Sequence, residues 1–248
     1  MTTAGRPSAL ITGGSRGIGL GVASALAARG WGLTLCARDP ARLAAAGAEL
    51  RSLGGRVESV AGDAADEACL AAAVDRHEAA YGSMNALVLA AGVGSAGPLA
   101  GYPVRRIDKQ FAVNVRAPFV LVGRALPLLR AGARDDPARG GRIVALTSIE
   151  GVHPEPGLAV YGASKAALIS LVRSVNAEEA ARGVTASAIS PGYVDTDMSA
   201  WVADRIPPGS MITVADIVRT VDLVLSLSPS AVIPHLVINR VGGGPYRA

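Results

Sequence analysis

Short apolar runs alternate along the chain with longer stretches in which apolar residues recur at helical spacing. The short runs suit strands buried on both faces, and the longer segments suit helices that cover a parallel sheet. The pattern predicts strands near 8–12, 32–37, 56–61, 85–90, 142–147, 184–189 and 233–238, with helices between them. The expected fold class is α/β, a doubly wound seven-stranded parallel sheet with helices on both faces. No internal repeat or shift in composition marks a second domain, so residues 1–248 read as a single unit. Ala131 to Gly141, with Arg134, Asp135, Asp136, Pro137 and Arg139, is charged and rich in turn formers, which predicts a solvent loop before the fifth strand.

The first apolar run, Ala9-Leu10-Ile11, passes into Thr12-Gly13-Gly14-Ser15-Arg16-Gly17-Ile18-Gly19 and then into the periodic segment Leu20 to Ala28. Strand, glycine turn and helix in this order bring free N–H groups and the positive end of a helix dipole to one point, where a dinucleotide's pyrophosphate binds. Gly13, Gly17 and Gly19 set a spacing that differs from the usual G-x-G-x-x-G. In a chain with 30 glycines such a turn can also be purely structural, and its strand-to-helix context is what points to a cofactor.

Tyr161 and Lys165, in Tyr161-Gly162-Ala163-Ser164-Lys165, share one face of a helix at this spacing. An ammonium beside a phenol favours the phenolate and draws a pKa of about 10 toward the range useful for acid/base work, which makes Tyr161 a candidate proton donor. Such pairs are also commonplace on solvated faces. Together with the turn from Thr12 to Gly19, Asn114 in Asn114-Val115-Arg116-Ala117, and Ser148 thirteen positions before Tyr161, the pair resembles the short-chain dehydrogenase/reductase family in its classical form. The resemblance covers essentially the whole chain. It continues in Pro191-Gly192-Tyr193-Val194-Asp195-Thr196, which is similar to the family's segment that closes over the nicotinamide. The helix read over Ile212 to Leu227 and the strand over Val232 to Ile238 are similar to the C-terminal part of bacterial 3-oxoacyl-carrier-protein reductases.

The resemblance implies a single-domain Rossmann fold and an NADP-dependent oxidoreductase. Its reaction would move a hydride between NADPH and a carbonyl or secondary alcohol, with a 3-oxoacyl thioester or a similar ketone as substrate. The alternatives are a dehydrogenase of another secondary alcohol, cyclic ones included, and, from another class, a non-catalytic protein that senses NADP(H). The implied catalytic residues are Asn114, Ser148, Tyr161 and Lys165. Tyr161 would give its proton to the developing alkoxide while Ser148 bonds the same oxygen. Lys165 would keep the Tyr161 pKa low and hold the nicotinamide ribose, and Asn114 would hold a water that links Lys165 to solvent. Each has a plain structural alternative: Ser148 at a strand end can begin a turn, and Asn114 in an apolar segment can satisfy backbone groups.

The implied cofactor contacts are Gly13, Ser15, Arg16, Gly17, Ile18 and Gly19 in the turn, then Arg38, Asp63, Ala64, Ala91, Gly92, Tyr161, Lys165, Pro191, Gly192, Val194 and Thr196. At the end of the second strand, Cys36-Ala37-Arg38-Asp39 offers an arginine where a carboxylate would accept from a free ribose 2′-OH. Arg38, with Arg16 nearby, suits a 2′-phosphate and therefore NADPH over NADH. Asp63 suits either an adenine contact or the N-cap of the helix that follows. Leu89-Ala90-Ala91-Gly92 stands where the family usually has Asn-Asn-Ala-Gly, which removes an amide that would brace neighbouring strands. Val241-Gly242-Gly243-Gly244 departs from the usual Val-Asp-Gly-Gly, with a possible effect on subunit contacts.

Composition narrows the field further. A net charge of +4 with scattered arginines and only 4% aromatic residues gives no basic stripe, so nucleic acid is not an expected partner. Met1 to Pro7 has no apolar core of an export signal, and Ala117 to Leu129 is too short to span a membrane, so a cytoplasmic protein without membrane contact is expected. Cys36 and Cys69 give neither a disulfide framework nor a metal spacing. Glu150 and His153, between Ser148 and Tyr161, are candidates for the substrate pocket. Trp201 is a candidate for a lid over about Asp197 to Met211, whereas His77 and His235 read as structural or exposed and Trp31 as core. A homotetramer or homodimer is implied, built partly on the Tyr161 helix, where Ala163, Ala166 and Ala167 would allow close packing.

Overall fold

The structure, a computed structural model, describes residues 6–242. The expectations for Met1 to Gly5 and for Gly243 and Gly244 lie outside the described residues.

Seven parallel strands form one sheet in the order β3-β2-β1-β4-β5-β6-β7. They are β1 (Ser8–Thr12), β2 (Gly32–Ala37), β3 (Arg56–Ala61), β4 (Ala86–Leu89), β5 (Gly141–Leu146), β6 (Val184–Pro191) and β7 (His235–Ile238). Each prediction falls within about two residues of its strand, because both faces of the sheet are covered and the central strands are uniformly buried and mostly apolar. Alternate residues of β1 feed two cores. Ala9 and Ile11 pack with α1 (Gly17–Ala27), α2 (Pro40–Ser52) and α7 (Val214–Ser226). Leu10 packs on the other face with α3 (Glu67–Tyr81), α5 (Ala117–Asp135) and α6 (Ala159–Glu179). Strand order reverses between β1 and β4, and the crevice beyond the carboxyl ends of these strands is where this topology binds ligands.

Three expectations need correction. The solvent loop from Ala131 to Gly141 is half helix: α5 runs on to Asp135, since Ala131, Gly132 and Ala133 continue its apolar face, and only Asp136 to Gly140 make the turn. The apolar stretch from Ala117 is also not a short segment. It continues α4 (Val104–Phe111) and a π-helical turn (Ala112–Arg116) into one helical run, Val104–Asp135, long and apolar enough by length and composition to cross a bilayer. Half of its most apolar window is packed inside the protein, as in a core helix. Finally, Asp63 is not a helix cap. It accepts from Ala65 N at 2.9 Å in the preceding turn, and Asp66 caps α3 by accepting from Ala68 N.

Trp31 is core, as read. His77 is fully buried: its Nδ1 lies 2.9 Å from Thr34 Oγ1 and its Nε2 3.0 Å from Ser8 Oγ, which ties α3 to β1 and β2. Burial lowers its pKa from 6.5 to about 4, against the hydrogen bond with Ser83 O. As the pH falls, the unfolded chain takes up this proton first. The stabilisation is therefore complete above about pH 6.5 and is lost between there and about pH 4, amounting to about 3 kcal/mol. A His77→Gln variant should lose that segment of the pH dependence, which urea unfolding midpoints of both proteins across the window will measure.

Candidate active site

Gly13 closes the turn after β1. Its φ of +68° is a conformation open to glycine, and a Cβ there would lie 2.9 Å from Ala91 N. A Cβ on Gly19 would lie 2.3 Å from Gly13 O, so the start of α1 rests directly on the turn. Arg16, the residue before α1, makes no side-chain cap, and the first amides of the helix are left to a ligand. Thr12, unmarked in the sequence reading, supplies the brace that the family's asparagine would give. Its Oγ1 accepts from Ala90 N and Ala91 N, both at 3.1 Å.

These elements line one cleft of about 1040 Å³. Its floor is the turn, with Ser15, Gly17, Ile18 and Gly19, opposite Ala91 and Gly92. Arg38, Asp63 and Ala64 line one end, and Pro191, Gly192, Val194 and Thr196 close over from β6. Ser148, Tyr161 and Lys165 line the other end with Glu150, Tyr193 and Trp201. His153 falls outside the lining. The volume suits a dinucleotide with a small substrate, and the uncapped amides and glycine-rich turn match a pyrophosphate.

The adenosine end carries more charge than the sequence suggested. Arg42, one turn into α2, joins Arg16 and Arg38 there. Asp197 meets Arg16 at 2.7 Å and Arg42 at 3.7 Å. Asp39 is used locally, accepting from Ala41 N and Arg42 N to cap α2. The available signal for Arg42 was its place in the first turn of the helix that Asp39 caps, directly after the end of β2.

On the opposite wall, Lys165 Nζ lies 5.7 Å from the centre of the Tyr161 ring and donates to Leu146 O at 2.8 Å. The expectation that Lys165 holds the Tyr161 pKa low is not met in this state. Burial raises the phenol, the charge of Glu150 raises it further, and the Ser148 hydroxyl opposes both. Burial also lowers Lys165 from 10.5 to about 8, against the attraction of Glu150. Desolvation is the largest influence on both groups. The Ser148 hydroxyl donates to Glu150 Oε2. Asn114 stands behind this wall in the π-helical turn and does not line the cleft. It accepts from Val93 N at 2.9 Å and donates to Val93 O at 2.8 Å and Ser164 Oγ at 2.9 Å. A Cβ on Gly92 would lie 3.4 Å from Lys165 Nζ and 3.6 Å from Asn114 Oδ1, so the two side chains flank one glycine.

This chain belongs to the short chain dehydrogenase family, whose model matches residues 7–206; it is an oxidoreductase of that family. It is 31% identical to a protein named as ketoacyl reductase 1 of the granaticin polyketide synthase of Streptomyces violaceoruber, over 97% of this chain and 94% of that one. It is 31% identical to the 3-oxoacyl-[acyl-carrier-protein] reductase FabG of Staphylococcus aureus, over 80% of this chain and 79% of that one. A short chain dehydrogenase from Burkholderia cenocepacia, solved in complex with NADP, superposes with a TM-score of 0.83 and 32% identity, over 97% of each chain.

The close contact at Gly19 has a measurable cost. Gly19→Ala should destabilise the protein by about 1–3 kcal/mol through the clash with Gly13 O. Gly123→Ala, in the exposed face of α5 where an added Cβ meets nothing within 4 Å, should stabilise it by about 0.5–1 kcal/mol. Urea unfolding of both variants reads the opposite signs.

Proposed function

We propose that this protein is an NADPH-dependent reductase of a 3-oxoacyl thioester or similar ketone, and that a single domain holds both cofactor and substrate. The observation that supports it best is Ser148, Tyr161 and Lys165 on one wall of a cleft whose floor is a glycine turn at a helix start. The bound dinucleotide supplies the hydride. Tyr161 gives its phenolic proton to the substrate oxygen as negative charge grows there, and Ser148 orients the same oxygen. Lys165 spends one proton on Leu146 O and has two left for the ribose hydroxyls and the phenol. Asn114 retains one lone pair on Oδ1, enough to hold a water at the end of a path to Lys165.

Arg16, Arg38 and Arg42 support the choice of NADPH, since arginine follows the last residue of β2 and the next carboxylate, Asp39, is turned to the α2 amides and to Arg42. The relative solved with NADP agrees with it, and the two ketoacyl reductases support the substrate class. The free thiols of Cys36 and Cys69 suit the cytoplasm. Ala163 and Ala166 are exposed on α6, with Phe119 exposed on α5, which supports a homodimer or homotetramer built on these helices.

Absorbance of NADPH, followed with a short 3-oxoacyl thioester, tests the reading. Turnover should fall by about 10²–10⁴-fold in Tyr161→Phe. Arg38→Ala and Arg42→Ala should each raise the KM for NADPH by about tenfold and leave that for NADH nearly unchanged. Tight NADPH binding with no turnover across a panel of ketones and alcohols would instead favour the sensor.

A further inference from the structure

Glu150 is a buried carboxyl group inside the reaction cleft, 7% exposed, with no part in the mechanism above. It sits in the single turn Ile149–Gly151 that follows Ser148. Two glycines press this turn onto α6. A Cβ on Gly151 would lie 2.9 Å from the Lys165 carbonyl carbon, and a Cβ on Gly162 would lie 2.7 Å from Glu150 O. The carboxyl is therefore held beside Ser148, whose hydroxyl donates to it.

A serine hydroxyl has one proton. While that proton goes to an ionised Glu150, Ser148 offers only lone pairs to the cleft and cannot donate to a carbonyl oxygen. When Glu150 carries a proton, the carboxyl becomes the donor to Ser148 Oγ and the serine hydroxyl is released toward the substrate. The groups that face Glu150 are Tyr161 and Lys165 of α6, Tyr193 after β6 and Glu155 before α6. Glu155 resists a negative charge on Glu150, as would an alkoxide growing on the substrate, and an ionised Glu150 in turn opposes ionisation of both phenols. Burial raises the Glu150 pKa, against the hydrogen bond from Ser148, and Glu155 adds to the rise while Lys165 opposes it.

We propose that Glu150 is a positioning residue for Ser148: protonated, it turns the serine hydroxyl onto the substrate carbonyl, and ionised, it withdraws that hydroxyl and disfavours reduction. This rests on the reading of Ser148 and Tyr161 as the pair that receives the substrate oxygen. The Glu150 proton is shared with Ser148 and is not consumed. The proton that ends on the product alcohol is that of Tyr161.

Glu150→Gln fixes the donating form, because its amide can give a hydrogen bond to Ser148 Oγ at every pH. With the 3-oxoacyl thioester, or whichever ketone of the panel turns over, wild-type kcat should fall as pH rises through the Glu150 titration, by about tenfold per unit. Glu150→Gln should keep its kcat there, Glu150→Ala should lose on the order of tenfold throughout, and KM should change little. Infrared difference spectra of wild type against Glu150→Gln need no substrate. They should show a protonated carboxyl that persists above the ordinary glutamate value of about 4.3. A carboxyl that titrates in the ordinary range overturns the proposal, as do superimposable pH profiles of wild type and Glu150→Gln when Tyr161→Phe is inactive. A Tyr161→Phe variant that keeps turnover removes the underlying reading, and this proposal with it.

Discussion

At the switch point between β1 and β4, two backbones touch with no side chain between them. Gly13 faces Ala90 and Ala91 at van der Waals contact, and Gly19 is seated on Gly13. Any Cβ at either glycine would force the start of α1 away from the end of β4 and open the floor of the cleft. The contact also dictates the chemistry of its surroundings. The amides of Ala90 and Ala91 face inward where no side chain can reach them from β4 itself, so a hydroxyl from β1, that of Thr12, has to satisfy them. A threonine on one strand thus ties down the end of the next.

The opposite wall obeys an electrostatic constraint. Tyr161 and Lys165 are brought together by helical spacing, but both are desolvated, and burial drives each toward its neutral form. The phenol rises and the ammonium falls. Proximity of charges lowers a phenol's pKa only where attraction exceeds the cost of burying the phenolate, and the carboxyl of Glu150 adds to that cost. A buried acid beside a proton donor makes the protonation of the acid a condition of the donor's environment. This is why the turn Ile149–Gly151 matters to the chemistry as well as to the packing.

The sequence shows the fold well because buried parallel strands are written as apolar runs, and β1 and β2 fall on their predicted ranges. So does β3, a half-exposed edge strand marked only by Val57 and Val60 on either side of Ser59. It shows the glycine turn and the Tyr161 helix because local spacing encodes them. What it hides is whatever depends on contacts across the chain. The brace at Thr12 is formed with residues nearly eighty positions away. The Asp197 contacts to Arg16 and Arg42 join the lid to two other elements. The cap of α3 is hidden for a smaller reason, since Asp63 and Asp66 both precede an alanine-rich helix and only the turn between them decides which one caps it. Cys36 and Cys69, distant in sequence, end with their sulfurs 3.7 Å apart as free thiols, and no spacing rule anticipates it.

Charge is sorted along the cleft. Arg16, Arg38 and Arg42 gather at one end, where Asp197 pairs with two of them, whereas the end holding Ser148 and Tyr161 sets Lys165 against Glu150, with Glu155 outside the lining, 3.4 Å from the Tyr193 hydroxyl. Phosphates directed toward these arginines would compete with Asp197 for Arg16 and Arg42. The same asymmetry bears on the substrate. A carbonyl at the Ser148 end would meet the hydroxyls of Ser148 and Tyr161 and the edges of Tyr193 and Trp201. Trp201 is more than half exposed and packs edge-on to Tyr193, so an apolar chain entering past it buries aromatic surface. These aromatic walls suit the apolar chain of the acyl substrate proposed above.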